Sequence, residues 1–395
     1  MLKFKFNRKD NHFIYNNNIN EYINYLNNNN NPFVHIINNN KSKIVNDLYD
    51  IAFNFKILNI KNPNKILYIY SNKNIYNDII LINNCMSAID LDILPSNIAT
   101  PKMLSIFIKK LFKNINGVKI KILNNQQIKK EKLNLIYSVG NGSYNKPFFV
   151  IIERLTKNPT TCIIGKGITF DAGGTNIKTN NGIYDMKYDK TGAVYSLFAL
   201  KYLIETNKDL SLVGLLPFCE NTISNNPLKS GDVIKSYSGK TVEVLDTDAE
   251  GRLIMADALA YSQKYKPNLL IDIATLTGAS SKHNCYNLGT FYTKSIKIKN
   301  FIEKISFKND EIMIGLPTWV KKDMLKSSVA DIKNYSLSCH DSYSASMFLH
   351  EFIPKNVKNW IHIDLAHAIY KKDEVSIPKG KGIRTLIEII KKMNK

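Results

Sequence analysis

From about residue 160 onward, the chain alternates continuous apolar segments with amphipathic ones, and this alternation constrains the fold more than any other feature. Residues 161–164, 210–217 and 269–274 have the character of fully buried strands, whereas 191–206 and 253–264 carry apolar side chains at helical spacing. A strand without a polar face needs cover on both sides. The pattern predicts an α/β fold whose central mixed sheet is covered by helices, with binding residues on loops at the strand ends.

The first 85 or so residues differ in composition from the rest. Runs of asparagine separate short apolar pieces such as 33–37 and 66–70, which are rich in β-branched and aromatic residues and are typical of strands. We therefore predict a small N-terminal α/β domain over residues 1–85 and a larger C-terminal domain over residues 86–395.

The beginning of the larger domain follows a less regular pattern. The Thr100-Pro101 pair is typical of a helix start and predicts a helix over about 101–114. Strands are predicted near 118–123, near 133–139 and over 148–152.

The chain is strongly basic. Its 395 residues include 54 Lys and Arg against 33 Asp and Glu, a net charge of +21 at pH 7. Such a charge attracts nucleic acids and anionic membranes. The lysines accompany an unusual load of Asn, Ile, Tyr and Phe, however. All five residue types have A/T-rich codons, so a genome drifting toward A/T would produce this composition without selection for charge. No RNP, zinc-finger or basic-zipper pattern is present, and nucleic-acid binding stays an alternative that is not favoured.

Membrane and secretory signals are absent from the sequence pattern. No run of about 18 apolar residues occurs, so no membrane span is expected. The basic start leads into no apolar region of the kind found in a secretory signal. The five cysteines lack any C-x-x-C pair, which favours free thiols in a reducing compartment and a cytoplasmic location. They are Cys85, Cys162, Cys219, Cys285 and Cys339.

Two segments concentrate charge where the chain is otherwise apolar. In the first, 165–174, a predicted buried strand delivers Lys166 and Asp171 into a loop whose glycines let the backbone approach a ligand closely. The second, 246–253, carries Asp248 and Glu250 two residues apart, so their side chains point to the same side of an extended backbone.

Together with Asp189, these segments offer four carboxylates for one pocket. Four such charges repel one another strongly unless cations compensate them. Two divalent ions would cancel the charge, and oxygen ligands suit Mg²⁺, Mn²⁺ or Zn²⁺. A metal pair about 3.5–4 Å apart can turn a shared water into hydroxide near neutral pH, so the pocket favours metal-assisted hydrolysis. Taken singly, Asp189 and Glu250 could instead stabilise the N-termini of the helices that follow them.

The segments 165–174 and 247–253 resemble the two signatures of the leucyl (cytosol) aminopeptidase family, the di-metal peptidases of the M17 type. Further matches run in family order over about residues 86–395. They are 231–233, 239–244, 271–279, 316–319, 348–349, 362–366 and 382–386. The resemblance implies a catalytic domain over 86–395 that binds two divalent metal ions, Mn²⁺ or Zn²⁺, in a cytoplasmic homohexamer engaged in intracellular peptide turnover.

By position, the resemblance implies a set of five metal ligands, namely Lys166, Asp171, Asp189, Asp248 and Glu250. Asp171 and Glu250 would bridge the two ions, and Asp189 with Lys166 would serve the more exchangeable one. A lysine ligand must be neutral, which an adjacent dication can achieve by lowering its pKa. The alternative for Lys166 is a salt bridge to one of the carboxylates.

The mechanism implied by the resemblance starts from a peptide with a free N-terminus. Its α-amine would bind one metal and its scissile carbonyl the other, while a bridging hydroxide attacks the carbonyl carbon. Lys178 would stabilise the charge that grows on the tetrahedral oxygen. Arg252 would hold a bicarbonate that relays the proton, since a guanidinium binds a planar anion through two bonds. A preference for leucine-like N-terminal residues is implied as well.

This chain departs from the family pattern at several places. Asp246 stands where asparagine is usual, Lys190-Thr191 replaces methionine and a small residue, and 338–346 replaces a segment rich in glycine and alanine near the substrate rim. The first domain is also much shorter than usual. The alternatives left open are a nucleic-acid-binding member of the family with weak or no peptidase activity, and another di-metal hydrolase such as a phosphoesterase.

Overall fold

The structure is a computed structural model that describes part of the chain. The described ranges are 13–14, 33–36, 41–58, 68–71, 76–283, 289–321, 323–337, 340–365, 369–372 and 375–394. The α-helices are α1 (Lys41–Leu58), α2 (Tyr76–Asp92), α3 (Pro101–Leu111), α4 (Asn125–Lys130), α5 (Asn134–Gly140), α6 (Thr191–Thr206), α7 (Glu250–Tyr261), α8 (Gly278–His283), α9 (Ile296–Lys308), α10 (Asp341–His350) and α11 (Ile383–Met393). Short 3-10 helices lie at Asn180–Ile183, Met186–Tyr188, Ser262–Tyr265 and Asp323–Leu325.

Strands account for most of the remaining regular structure. They are β1 (Phe13–Ile14), β2 (Phe33–Ile36), β3 (Tyr68–Ser71), β4 (Lys119–Leu123), β5 (Phe148–Arg154), β6 (Thr160–Gly165), β7 (Gly167–Asp171), β8 (Ser211–Asn221), β9 (Val233–Lys235), β10 (Thr241–Glu243), β11 (Leu269–Ala274), β12 (Gly289–Tyr292), β13 (Met313–Gly315), β14 (Ile332–Lys333), β15 (Asn359–Asp364), β16 (Ile369–Lys372) and β17 (Val375–Pro378).

A mixed sheet forms the centre of the molecule. Within the described ranges it has nine strands, in the order β13-β12-β15-β11-β6-β8-β5-β4, and β7 pairs with β8 as well. The strands β15, β11, β6 and β8 are parallel to their neighbours in this group, whereas β4–β5, β5–β8 and β12–β15 are antiparallel pairs. Every residue of β8 and β11 is buried. The predicted mixed sheet with buried strands is confirmed.

Helices cover the sheet on both faces and bury two hydrophobic cores. One core packs α2, α6 and α11 against the face that carries Ile163 and Ile271. The other packs α5, α7 and α10 against the face that carries Ile164 and Leu270. Because neighbouring residues of β6 and β11 point into different cores, these strands need apolar side chains throughout, which is the pattern seen in the sequence.

The N-terminal region is joined closely to the rest of the molecule. The parallel strands β1, β2 and β3 form a small sheet, and β2 and β3 overlap the strands predicted at 33–37 and 66–70. Helix α1, through Leu48 and Ile51, packs into the same core as α6. Helix α2 continues through the predicted boundary between residues 85 and 86. That boundary therefore coincides with no break in the packing of the described residues.

Most of the predicted elements agree with the structure, but residues 133–139 do not form the predicted strand. Helix α5 occupies this segment. Its first turn is capped by a buried carboxylate from α7: Asp257 Oδ2 accepts hydrogen bonds from the backbone N–H groups of Leu135 at 2.8 Å and Ile136 at 3.2 Å. The cap comes from a residue more than 100 positions away, so local sequence gives no sign of it.

The remaining expectations concern cysteines and membranes. Cys85, Cys162 and Cys219 are buried free thiols, as expected, while Cys285 and Cys339 lie outside the described residues. Among the described residues, every helix is too short or too polar to pass through a bilayer.

Candidate metal centre

The predicted ligands gather at one edge of the central sheet. Lys166 follows β6 directly, and Asp171 is the last residue of β7. Asp189 precedes α6, and Glu250 is the first residue of α7. Since β6, β7 and β11 all run parallel to their shared neighbours, their carboxyl ends lie at the same edge and bring these loops together.

The first half of the centre, called here the Lys166 half, consists of Lys166, Asp189 and Glu250. Lys166 Nζ lies 2.8 Å from Asp189 Oδ1 and 3.2 Å from Glu250 Oε1. It also donates a hydrogen bond to the carbonyl oxygen of Thr275 at 2.9 Å. All three side chains are at most 7% exposed, so this half is sealed from solvent.

Close packing against a glycine holds Lys166 in this position. A Cβ atom at Gly251 would lie 2.3 Å from Cε and 2.6 Å from Nζ of Lys166. Only glycine leaves room for the Lys166 side chain in this position, because real Cβ atoms do not make contacts this short. Gly251 in the second motif therefore makes room for Lys166 of the first.

The second half, called here the Lys178 half, consists of Lys178, Asp171 and Asp248. Lys178 Nζ lies 2.8 Å from Asp171 Oδ2 and 2.5 Å from Asp248 Oδ1. The Lys178 side chain is 16% exposed and that of Asp248 is 31% exposed. This half therefore faces solvent on the Asp248 side.

Neighbouring amides orient the Asp171 carboxylate. Asp171 Oδ1 accepts hydrogen bonds from Asn221 Nδ2 at 2.8 Å and from the backbone N–H of Gly173 at 2.9 Å, and Gly173 has a φ of +90°. Asn221 also donates to the carbonyl oxygen of Thr247, which precedes Asp248. Sequence reasoning missed Asn221, whose only signal is its position at the end of β8, beside β7.

The two halves are close enough to share ions. Asp171, Asp248 and Glu250 each offer a carboxylate oxygen within 4.8 Å of the others. Oε2 of Glu250 and Oδ2 of Asp189 are buried and accept no hydrogen bond within the described part of the chain. Buried acceptors without donors are costly, and a divalent cation would satisfy them. The residues present therefore fit a metal pair, and all five predicted ligands contribute to the cluster.

The raised pKa values of the carboxyl groups also favour the binding of cations to the cluster. Burial raises the pKa of the Asp189 and Glu250 carboxyl groups, and the neighbouring carboxylates raise it further. For Asp248, burial followed by the charges of Asp171 and Glu250 raises the pKa to about 7. A cation would replace protons that these groups otherwise favour, so metal binding releases protons.

For the two lysines, burial and the neighbouring charges shift the pKa in opposite directions. Burial alone would lower the pKa of Lys166 and Lys178, but the surrounding carboxylates outweigh it and raise the pKa of both ammonium groups. Without ions, Lys166 forms salt bridges with Asp189 and Glu250. A salt bridge was the alternative role for Lys166 in the sequence analysis. To act as a metal ligand, Lys166 would have to release its proton when a dication binds.

Arg252 lies in the first turn of α7, two residues after Glu250. Its side chain is 2% exposed; Nη2 lies 2.7 Å from Asp341 Oδ1, and Nη1 donates to the carbonyl oxygen of Asn334 at 3.0 Å. The guanidinium carbon lies 5.7 Å from the centre of the Tyr335 ring. Nε is buried and has no hydrogen-bond partner within the described part of the chain. A bicarbonate that used Nη2 would compete with Asp341, a residue that sequence reasoning did not single out.

Two of the departures from the family pattern have structural roles outside the metal cluster. Lys190 is buried, and its Nζ donates to the carbonyl oxygens of Asp92, Leu94 and Lys187. Thr191 Oγ1 donates to Asp92 Oδ2 at 2.7 Å. Together they fix the segment that carries Asp189 to the end of α2.

Asp246 supports the backbone of the second motif. Its Oδ1 accepts hydrogen bonds from Asn176 Nδ2 at 2.7 Å and from the backbone N–H of Asp248 at 2.8 Å. An asparagine side chain offers the same oxygen, so the exchange at this position preserves the turn.

The chain matches a known protein family over the region that contains this site. The model of the cytosol aminopeptidase family, catalytic domain, matches residues 86–387. The chain belongs to the cytosol aminopeptidase family. The resemblance seen in the two motifs is thereby confirmed, and the matched region includes every residue of both halves of the centre.

Individual relatives agree with this family membership. A probable cytosol aminopeptidase of Buchnera aphidicola is 33% identical over 307 residues, which cover 76% of this chain and 61% of that relative. One from Chlorobium limicola is 35% identical over 321 residues, covering 79% and 63%. The chain thus spans less than two thirds of the length of these curated relatives. Among solved structures, the bottromycin maturation enzyme BotP in complex with Mn matches with a TM-score of 0.83 and 25% identity, covering 92% of this chain and 84% of that one.

Proposed function

We propose that this chain is a metal-dependent aminopeptidase that releases N-terminal residues from peptides. The observation that carries the proposal is the buried cluster in which Oε2 of Glu250 and Oδ2 of Asp189 have no hydrogen-bond donor among the described residues. Membership of the cytosol aminopeptidase family and the names of the relatives support the same activity. The structure of BotP is a complex with Mn, which supports a divalent ion here, with Mn²⁺ or Zn²⁺ as the proposed metals.

Each residue of the cluster has a proposed task. Two divalent ions here would polarise the scissile carbonyl and lower the pKa of a water held between them. Asp171 and Glu250 would bridge the ions, which agrees with their position where the two halves meet. Asp189 with Lys166 would complete one ion site, and Asp248 would complete the other.

Burial distinguishes the two ion sites. The Lys166 half is at most 7% exposed, whereas Asp248 is 31% exposed. The sequence prediction assigned the more exchangeable ion to Lys166 and Asp189, but a solvent-facing site releases an ion more readily than a sealed one. We therefore assign the exchangeable ion to the Asp248 side, against that prediction.

Lys178 is proposed to stabilise the negative charge that develops on the carbonyl oxygen of the substrate. Its ammonium lies between Asp171 and Asp248 on the partly exposed side of the cluster, where a substrate can reach it. The raised pKa keeps this group protonated at neutral pH, as the role requires. The bicarbonate predicted at Arg252 stays a prediction.

The finer assignments are proposals as well. The substrates would be peptides with a free N-terminus, with a preference for leucine-like residues. The enzyme would act in the cytoplasm as a homohexamer.

The test is hydrolysis of the p-nitroanilides of leucine, alanine and an acidic residue by the full chain. We expect complete chelation to abolish the activity and re-addition of Mn²⁺, Zn²⁺ or Mg²⁺ to restore it. Activity that survives complete chelation would eliminate the metal mechanism, and inactivity with every metal would eliminate the aminopeptidase. Asp248→Asn should lose activity, while Asp246→Asn, its matched control, should keep it because asparagine preserves the turn.

A further inference from the structure

We propose that Asp364 is a positioning residue of the metal centre, which acts through Thr275 on the Lys166 half. The inference rests on the proposed metal-dependent function. It assigns a task to two of the family-like segments, 271–279 and 362–366, which contribute no proposed ligand. Thr275 lies in the first of these segments and Asp364 in the second.

The two strands that carry these segments end side by side. Strands β11 and β15 are parallel neighbours, and Ala274, the last residue of β11, pairs with Asp364, the last residue of β15. The Asp364 side chain is fully buried. The chain that leaves β11 therefore passes directly beside a buried carboxylate.

The Asp364 carboxylate holds this turn through three hydrogen bonds. Its Oδ1 accepts from the backbone N–H groups of Leu276 at 2.9 Å and Thr277 at 3.3 Å. Its Oδ2 accepts from Thr277 Oγ1 at 2.6 Å. Without the carboxylate, these donors would lose their acceptor, and the turn would have to rearrange to find another.

Thr275, at the start of the turn, contacts two proposed ligands. Its carbonyl oxygen accepts a hydrogen bond from Lys166 Nζ at 2.9 Å, and its Oγ1 donates to Asp189 Oδ1 at 3.0 Å. Asp189 Oδ1 also lies 2.8 Å from Lys166 Nζ, whereas Oδ2 has no donor within the described part of the chain. Thr275 thus fixes one oxygen of Asp189 and leaves the other for an ion.

The contact with the Thr275 carbonyl also suits Lys166 as a ligand. A neutral amine keeps two N–H groups and one lone pair. An N–H group bonded to the carbonyl would fix the rotation of the amine and so the direction of its lone pair. Ligands that are oriented by such hydrogen bonds bind their metal more tightly. Asp364 therefore positions Thr275, and Thr275 orients both ligands.

Isothermal titration with Mn²⁺ tests this inference when the affinities of the two ions are resolved. Asp364→Ala should weaken binding of the ion in the Lys166 half by about 10- to 100-fold and leave the other ion unchanged. Asp364→Asn should stay close to the wild type, because its amide oxygen still accepts from both backbone N–H groups. The same changes in Asp248→Asn, which lacks a proposed ligand of the other ion, identify the ion that is affected.

Two milder variants keep the test decisive if Asp364→Ala fails to fold. Thr277→Val removes one of the three bonds to Asp364, and Thr275→Val removes the hydroxyl group that bonds to Asp189. Each should weaken binding of the ion in the Lys166 half by about 10-fold. Thr275→Ser keeps the hydroxyl group and should bind this ion as the wild type does.

Asp257→Ala is the matched control. Asp257 is an equally buried carboxylate that accepts hydrogen bonds from backbone N–H groups, in its case those of Leu135, Ile136 and Tyr237. We expect this variant to lower the melting temperature and to leave the affinities of both ions unchanged.

Amide hydrogen exchange of the metal-free chain tests the contact without ions and without activity. The backbone N–H groups of Leu276 and Thr277 should exchange on the order of 10-fold faster in Asp364→Ala than in the wild type, because the acceptor is lost. Their exchange in Asp257→Ala should match the wild type.

Three results of the titration would overturn the inference: wild-type affinity for the ion of the Lys166 half in folded Asp364→Ala or in both valine variants, equal weakening of both ions, or similar weakening in Asp257→Ala. Unchanged exchange at residues 276 and 277 would overturn it as well. If the wild type binds no divalent ion, the proposed metal centre fails. The exchange rates then still decide whether Asp364 holds the turn.

Discussion

The two halves of the metal centre have the same composition, a lysine between two carboxylates, but they differ in burial. The Lys166 half is sealed by backbone contacts with Thr275 and Gly251, whereas the Lys178 half opens to solvent at Asp248. The same charges therefore serve different purposes. The sealed half suits permanent ion binding, and the open half suits contact with a substrate and exchange of its ion.

Loss of a proposed bridging ligand should have the largest effect. Glu250→Gln removes a charge that faces both ions, and we expect loss of both ions and a rate at least about 10³-fold lower. Metal content by elemental analysis and kcat on leucine p-nitroanilide provide the measurements. A variant that keeps two ions and a near-normal rate would show that Glu250 does not bridge the ions.

A change confined to the open half should separate catalysis from metal binding. Lys178→Ala should lower kcat by about 10²- to 10³-fold, the usual effect of removing one group that stabilises a developing oxyanion. Both ions should remain, because Lys178 is not a proposed ligand. A full peptidase rate in this variant would refute the role of Lys178, and loss of the ions would mean that Lys178 mainly supports the carboxylates.

A change confined to the sealed half should do the reverse. In Gly251→Ala the new methyl group meets the flexible end of Lys166, so we expect Lys166 to move rather than the backbone. The ion of the Lys166 half should bind more weakly, while the melting temperature changes little. Gly182→Ala is the control, since a Cβ there meets no atom within 4 Å. Unchanged metal affinity in Gly251→Ala would argue that Lys166 is no ligand.

The smallest effect is expected from a residue that touches the ions only through another side chain. Asn221→Ala removes the hydrogen bond that orients Asp171, and should weaken metal binding by about 10- to 100-fold. Isothermal titration with Mn²⁺ would measure it. If the loss falls on one ion alone, Asp171 does not bridge the two halves.

Sequence alone predicted the parts of the site that depend on local pattern. Lys166, Asp171 and Glu250 follow or precede apolar segments within a few residues, and their convergence follows from parallel strands. The family motifs extended the prediction to Lys178 and Arg252. The order of strands along the sheet was not predicted, because strand pairing depends on contacts between distant segments.

The wrong strand prediction at 133–139 and the two residues that were missed, Asn221 and Asp341, share one physical cause. Helix α5 depends on a cap from Asp257, Arg252 is paired with Asp341, and Asp171 is oriented by Asn221. In each case the decisive partner lies at least 50 residues away along the chain. Local propensity gave residues 133–139 the wrong structure because a tertiary hydrogen bond outweighs it.

The contact between Lys190 and the end of α2 has a practical consequence for shortening this protein. Cleavage at residue 85 would cut α2 in its middle and leave Asp92, which anchors Lys190 and Thr191, on a stub of helix. The hydrogen bonds from Lys190 and Thr191 to Asp92 would no longer hold the loop that carries Asp189, although all five proposed ligands would still be present. A trimmed version should therefore start before Lys41, so that α1 and α2 stay with the rest of the chain.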